Sequence, residues 1–123
     1  MTTWQEFEQQ APDLAPRIRA RFTAHRHHVL ATLKRDGRCA LHSNPGPGTD
    51  MPGGDAKLSL LAVELTDPAE IAAYEAGLPE PPPGPYHAFR LELTGAALTE
   101  VVGDHLEISS WRPGGPVEVV ERR

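Results

Sequence analysis

The sequence predicts a single α+β domain over residues 1–123, with helices at the front and behind them an antiparallel sheet that is strongly bent or closed into a small barrel. Three observations lead there. Residues up to about His25 carry apolar side chains at helical spacing, one short helix is clearly punctuated in the centre, and the other apolar runs are brief and separated by tight-turn residues. The 123 residues, 39% hydrophobic and 24% charged, suit one globular core and leave no room for a second full domain. A chain of this size buries roughly two-thirds of the surface it exposes when unfolded, so losing a strand would be felt and a second copy would help.

Thr3 with Glu6 three residues later is a capping-box pattern that opens the first helix. Asp13 then precedes Leu14, Ile18, Phe22 and His25, a stripe on one helical face. From His28 the chain becomes β-branched and apolar through Val29-Leu30-Ala31-Thr32-Leu33-Lys34, and the Asp36-Gly37 pair after it is a strong hairpin signal. Arg38 to Ser43 reads as the partner strand, and residues 44–54 read as a loop, rich in Gly and Pro. Lys57 to Leu65 is a strand of mixed periodicity. Asp67-Pro68-Ala69-Glu70 is a helix start, with Asp at the N-cap and Pro at the first helical position, and that helix ends near Gly77. Pro79 to Pro85 is a stiff connector. Phe89, Leu91 and Leu93 then alternate with Arg90, Glu92 and Thr94, and a second run from Ala97 to Val102 leads through Gly103-Asp104 into Leu106 to Trp111. These strands form an antiparallel meander.

The formal charge of −5 is uneven: residues 1–16 carry −3, residues 17–38 carry +6 and residues 39–123 carry −8. The basic segment reads as a solvated helix face. Phe22 is the single Phe, Tyr or Trp among its arginines and belongs to the apolar stripe, so nucleic acid is not the expected partner. Cys39 is the single cysteine, which excludes an internal disulfide and a cysteine-built zinc site and suits a buried strand thiol. No apolar stretch approaches the roughly 18 residues of a membrane span, and residues 1–6 are too polar and acidic for a signal peptide, so the expected compartment is the cytoplasm.

Few residues suggest chemistry on their own. His25, His27 and His28 with His42 could supply imidazole ligands, but their spacing does not share a helix face, so a polar junction is expected and no metal ligand is assigned. The loop from Gly46 to Gly54 lacks the Gly-Lys-Ser/Thr ending of a phosphate cradle and holds two prolines, Pro47 and Pro52. No Gly-x-Ser-x-Gly elbow occurs. Glu118 with Glu121, and Asp50 with Asp55, read as solvated surface carboxylates. Trp111 followed by Arg112 can be read two ways: an indole and a guanidinium at a strand end can stack on a planar ligand and pair its phosphate, or the Trp closes a core edge.

Three blocks taken together resemble a known family. They are Phe22-Thr23-Ala24-His25-Arg26-His27-His28-Val29-Leu30-Ala31-Thr32-Leu33; Asp50-Met51-Pro52-Gly53-Gly54-Asp55-Ala56-Lys57-Leu58 running on to Thr66-Asp67-Pro68-Ala69-Glu70; and Phe89-Arg90-Leu91-Glu92-Leu93-Thr94 leading to Ser110-Trp111-Arg112-Pro113-Gly114. They are similar to actinobacterial members of the pyridoxamine 5′-phosphate oxidase-like proteins. That resemblance implies a flavin-reductase-like split β-barrel, a homodimer, and FMN or a deazaflavin bound between subunits. It places Trp111 against the ring system and Lys57 and Arg112 near its polar groups. Flavin supplies the redox chemistry itself, so no catalytic side chain is named.

The chain departs from the family pattern in three places. Asp36-Gly37 leads directly into Arg38 to Ser43, without the two strands and helix that in relatives supply most of the basic residues for the flavin phosphate. Leu60 stands where relatives usually have glycine, and Glu118 and Glu121 lie where the tail after the Trp is usually basic. Acidic groups near a phosphate would repel it. Two functions are therefore carried forward: an FMN- or deazaflavin-dependent oxidoreductase with a reduced cofactor site, and a cofactor-free degenerate domain that serves as a structural or interaction module. A third, weaker candidate is a nucleic-acid contact through Arg17 to Arg38. The shortened sheet should also have exposed edges, which a dimer would cover.

Overall fold

The computed structural model describes residues 2–24, 29–31, 37–43 and 54–122. Helix α1 (Trp4–Gln10) starts as its sequence demands, with the Thr3 hydroxyl accepting from the Glu6 amide at 3.2 Å. Helix α2 (Leu14–Thr23) buries Leu14, Ala15 and Ile18, the stripe read from the sequence, although Asp13 at its N-cap makes no side-chain cap bond. Strand β1 (Val29–Ala31) pairs antiparallel with β2 (Arg38–His42), as a hairpin around Asp36-Gly37 requires. Asp36 lies outside the described residues. Gly37 has φ +89, and a Cβ there would stand 2.8 Å from the Ala62 carbonyl oxygen, so this turn is closed to side chains on two counts.

Strand β3 (Asp55–Glu64), helix α3 (Pro68–Ala76), and strands β4 (Phe89–Val102), β5 (His105–Trp111) and β6 (Glu118–Arg122) complete the chain. Asp67 caps α3, its Oδ1 accepting from the Ala69 amide at 3.1 Å, and the helix stops at Gly77 as expected. The connector from Pro79 to Pro85 contains no helix or strand. The sheet has the order β1-β2-β3-β4-β5-β6, every pair antiparallel. It is the expected meander, but the described strands leave it open, with β1 and β6 as its edges.

Two features depart from the sequence reading. The runs Phe89–Thr94 and Ala97–Val102 are one continuous strand, joined by a bulge: Ser59 faces Gly95 while the next residue, Leu60, faces Leu93, leaving Thr94 over. And β6 was not expected at all. Its five residues are all exposed, so it carries no amphipathic pattern and is recruited by backbone pairing with β5.

The core lies between the two N-terminal helices and one face of the sheet. Phe7, Ala11, Leu14, Ala15 and Ile18 from the helices meet Ala56, Leu58, Leu60, Leu93, Ala96, Leu98 and Trp111 from β3, β4 and β5. Burying each large apolar side chain contributes about 2 kcal/mol. Cys39 and Leu41 pack half-buried against this cluster, in line with a strand thiol. The opposite face is open over β4 to β6, where Val101, Leu106 and Val120 are exposed. Helix α3 buries none of its residues and lies outside this core. No helix among the described residues is long and apolar enough to cross a membrane.

Candidate functional site

Strand register sets the shape of the uncovered face. His42, Lys57, Ala97, Ser110 and Glu118 are successive cross-strand partners and form one row across β2 to β6. Ala40, Ser59 and Gly95 form the row beside it. Because side chains two apart on a strand share a face, Ser59, Gly95, Ala97 and Ser110 line one patch whose side chains end at Cβ or one atom beyond. The sheet surface sinks there.

After Trp111 the chain turns back. Gly114 has φ +81, and the Gly115 amide donates to the Arg112 carbonyl at 3.0 Å. The turn is fastened from the helical layer, since the Gly114 amide donates to Gln10 Oε1 at 2.7 Å. It walls the sunken patch into a cleft of about 510 Å3 bordered by Gly95, Ala97, Ser110, Arg112, Pro116 and Glu118. That volume suits a small ligand. A Cβ at Gly95 would lie 3.4 Å from the Trp111 carbonyl oxygen and 3.7 Å from Ser59 Cβ, so any branched side chain here would fill the floor.

Of the three residues implicated by resemblance, Arg112 and Trp111 border this cleft and Lys57 lies beside it. Arg112 forms its rim, and Lys57 stands one strand away from the floor, directly opposite Ala97. Both are exposed, and neither side chain has a hydrogen-bond or ion-pair partner among the described residues. Trp111 borders the cleft too, but its side chain turns to the other face of the sheet. It is 2% exposed and packs on Phe7, with ring centroids 4.5 Å apart. Its Nε1 is buried without a hydrogen-bond partner among the described residues. Of the two readings of this Trp, the core position is the one it occupies.

The departures from the family pattern divide in the same way. Leu60 is a core residue, 3% exposed, opposite Leu93, and has no part in the cleft. Glu118 and Glu121, three apart on β6, face opposite sides: Glu118 pairs with Ser110 at the cleft, and Glu121 pairs with Glu107 on the helix side. Sequence reasoning missed Gly95, Ala97 and Ser110. Their only signal was small size, which carries no information until the register brings them together.

The remaining candidates lie elsewhere. His25, His27, His28 and the loop from residue 44 to 53 fall outside the described residues. In the basic segment, Arg17 is paired with Glu100 and Arg19 with Glu8, while Arg21 is buried at 8% exposure. Ser43 has a structural role, its amide donating to the Ala56 carbonyl at 2.9 Å and its hydroxyl accepting from the Ala56 amide at 3.1 Å. No family model, curated protein or solved structure matches the chain.

Proposed function

We propose that the cleft binds a planar anionic redox cofactor, FMN or a deazaflavin, and that the chain is a shortened, dimeric split-barrel oxidoreductase of the pyridoxamine 5′-phosphate oxidase-like kind. One observation carries this reading: two exposed cations without partners among the described residues, Lys57 and Arg112, flank a floor of Gly95, Ala97 and Ser110 that has almost no side chains. A flat ring needs such a floor, and a phosphate or polar ring edge needs such cations. Lys57, Arg112 and the Ser110 hydroxyl would hold the group. The flavin supplies hydride and electron transfer when bound, while the chain orients it. Trp111 then serves as the rigid back of the cleft.

The homodimer in this reading is supported by the same uncovered face. Val101 and Leu106 are cross-strand partners there, as are Ile108 and Val120, and Val101, Leu106 and Val120 are exposed by 41% to 45%. A patch of this kind suits a second copy. Sedimentation should give a dimer that Leu106→Glu dissociates.

Fluorescence titration of the purified chain with FMN, and separately with a deazaflavin, tests the cofactor. Saturable binding weakened about tenfold by Lys57→Met or Arg112→Met is the expected result, the loss of one charge-assisted hydrogen bond. The burial of Trp111 and the presence of Glu118 in the cleft favour a second reading, a cofactor-free structural or interaction module. Absence of binding to either compound would select it.

A further inference from the structure

On the opposite face of the sheet from the cleft, three carboxylates stand in one row. Glu100, Glu107 and Glu121 are successive cross-strand partners across β4, β5 and β6. Like charges directly opposite one another in an antiparallel pair are destabilising. Arg17 from α2 is paired with Glu100 and relieves one end of the row. The Glu107 carboxylate makes no hydrogen bond or ion pair among the described residues.

His105 completes the arrangement. It lies two residues before Glu107 on the same face of β5, and its donor atoms and those of Glu107 and Glu121 all lie within 4.8 Å of one another. Its Nδ1 is 3.3 Å from Asp104 Oδ1, which orients the ring, while Nε2 points at Glu121 Oε1 from 3.7 Å, too far for a hydrogen bond. That Nε2 is buried and without a hydrogen-bond partner among the described residues. A ring nitrogen held by a carboxylate on one side and open on the other is the arrangement of a metal-ligating histidine.

We propose that His105, Glu107 and Glu121 bind one divalent transition-metal ion, with Zn2+ the best match and Asp104 as the positioning residue behind His105. Two carboxylates and a neutral imidazole balance a charge of +2. The imidazole selects against Mg2+ and Ca2+, which prefer all-oxygen sites. Zinc ligands bond at about 2.0 to 2.2 Å, so the three atoms must draw together by roughly 1 Å from their present spacing. Glu121, whose side chain is 61% exposed, is free to make that move. The consequence is structural: β6 buries no side chain, and the metal would staple it to β5.

The test is calorimetric titration of the EDTA-treated full chain with Zn2+, Mg2+ and Ca2+, together with amide hydrogen exchange. One Zn2+ per chain is expected, with Mg2+ and Ca2+ at least 100-fold weaker, and with slower exchange at the β6 amides only when Zn2+ is present. His105→Asn and Glu121→Gln should each weaken binding by more than tenfold, and Asp104→Asn by about tenfold. Glu121→Gln removes a repulsion, so far-UV circular dichroism should show it folded. Zinc binding that persists in both His105→Asn and Glu121→Gln, or that leaves β6 exchange unchanged, would place the ion elsewhere on the chain and overturn the proposal. Equal response to all three ions would reduce the site to a patch of surface charge.

Discussion

Leu93 and Ala96 face the same core although they are three residues apart on one strand, because the Thr94 bulge adds a residue between them. Side chains alternate strictly along a regular strand, so without the bulge one of the two would point away. The bulge therefore sets which face the first half of β4 presents. Deleting Thr94 should regularise the pairing and leave Leu93 opposite Leu60 on the core face, so it should cost little stability. Leu93→Ala should instead cost about 3 kcal/mol, that of removing a buried leucine from the core. Denaturant unfolding should show the difference, and Thr94→Val, which keeps the extra residue, should also stay near wild type.

The two capped helices should respond differently to losing their caps. Thr3→Ala removes the bond to the Glu6 amide from a helix that carries buried Phe7, so it should lower global stability by about 1 kcal/mol. Asp67→Ala removes an equivalent bond from α3, which buries nothing. There the change should appear as faster amide exchange at Ala69 to Ile71, with little shift in Tm.

Glu118 opposes the proposed anion from across the cleft floor. Glu118→Gln should tighten FMN binding several-fold and make it fall more steeply with salt, because the two cations then attract the anion unopposed. Isothermal titration at two ionic strengths reads both effects. The same substitution should leave zinc binding unaltered, since Glu118 faces the other side of β6 from Glu121.

Tyr86 is joined to α3 through its hydroxyl, which donates to Glu75, and that bond, with burial and the Glu75 charge behind it, raises the phenol from its ordinary value near 10 to about 12. The neutral phenol is the form that donates. Stability from this contact is complete below about pH 10 and is lost as the pH rises through about 12. Tyrosinate absorbance should show one of the two tyrosines titrating late, and Glu75→Gln should return it toward 10.

Much of the fold was legible because its signals are local. The Thr3 and Asp67 caps, the Leu14 to Phe22 stripe, Gly37 after Asp36, and Gly103 between β4 and β5 each act within a few residues. The mixed periodicity of β3 also has a simple cause: Ala56, Leu58 and Leu60 face the core, while Leu61 and Val63 sit half-buried on the other side. Strand β6 was illegible because it buries nothing. The bulge was illegible too, since Thr94-Gly95 reads as readily as a break between strands as it does as an extra residue within one.

The cleft is a different matter. Lys57, Ala97, Ser110 and Glu118 are spread between positions 57 and 118 of the chain and meet only through the register of four strands. By itself the sequence determined the elements other than β6 and the continuity of β4, with their order and their antiparallel connections, because caps, turns and side-chain periodicity are short-range chemistry. Only the tertiary structure decided the faces: that Trp111 turns inward onto Phe7 while Ser110 turns out to the cleft, and that Glu118 and Glu121 part company. Facing is set by which side of the sheet the helices bury, and that choice is made by packing between segments far apart in the chain.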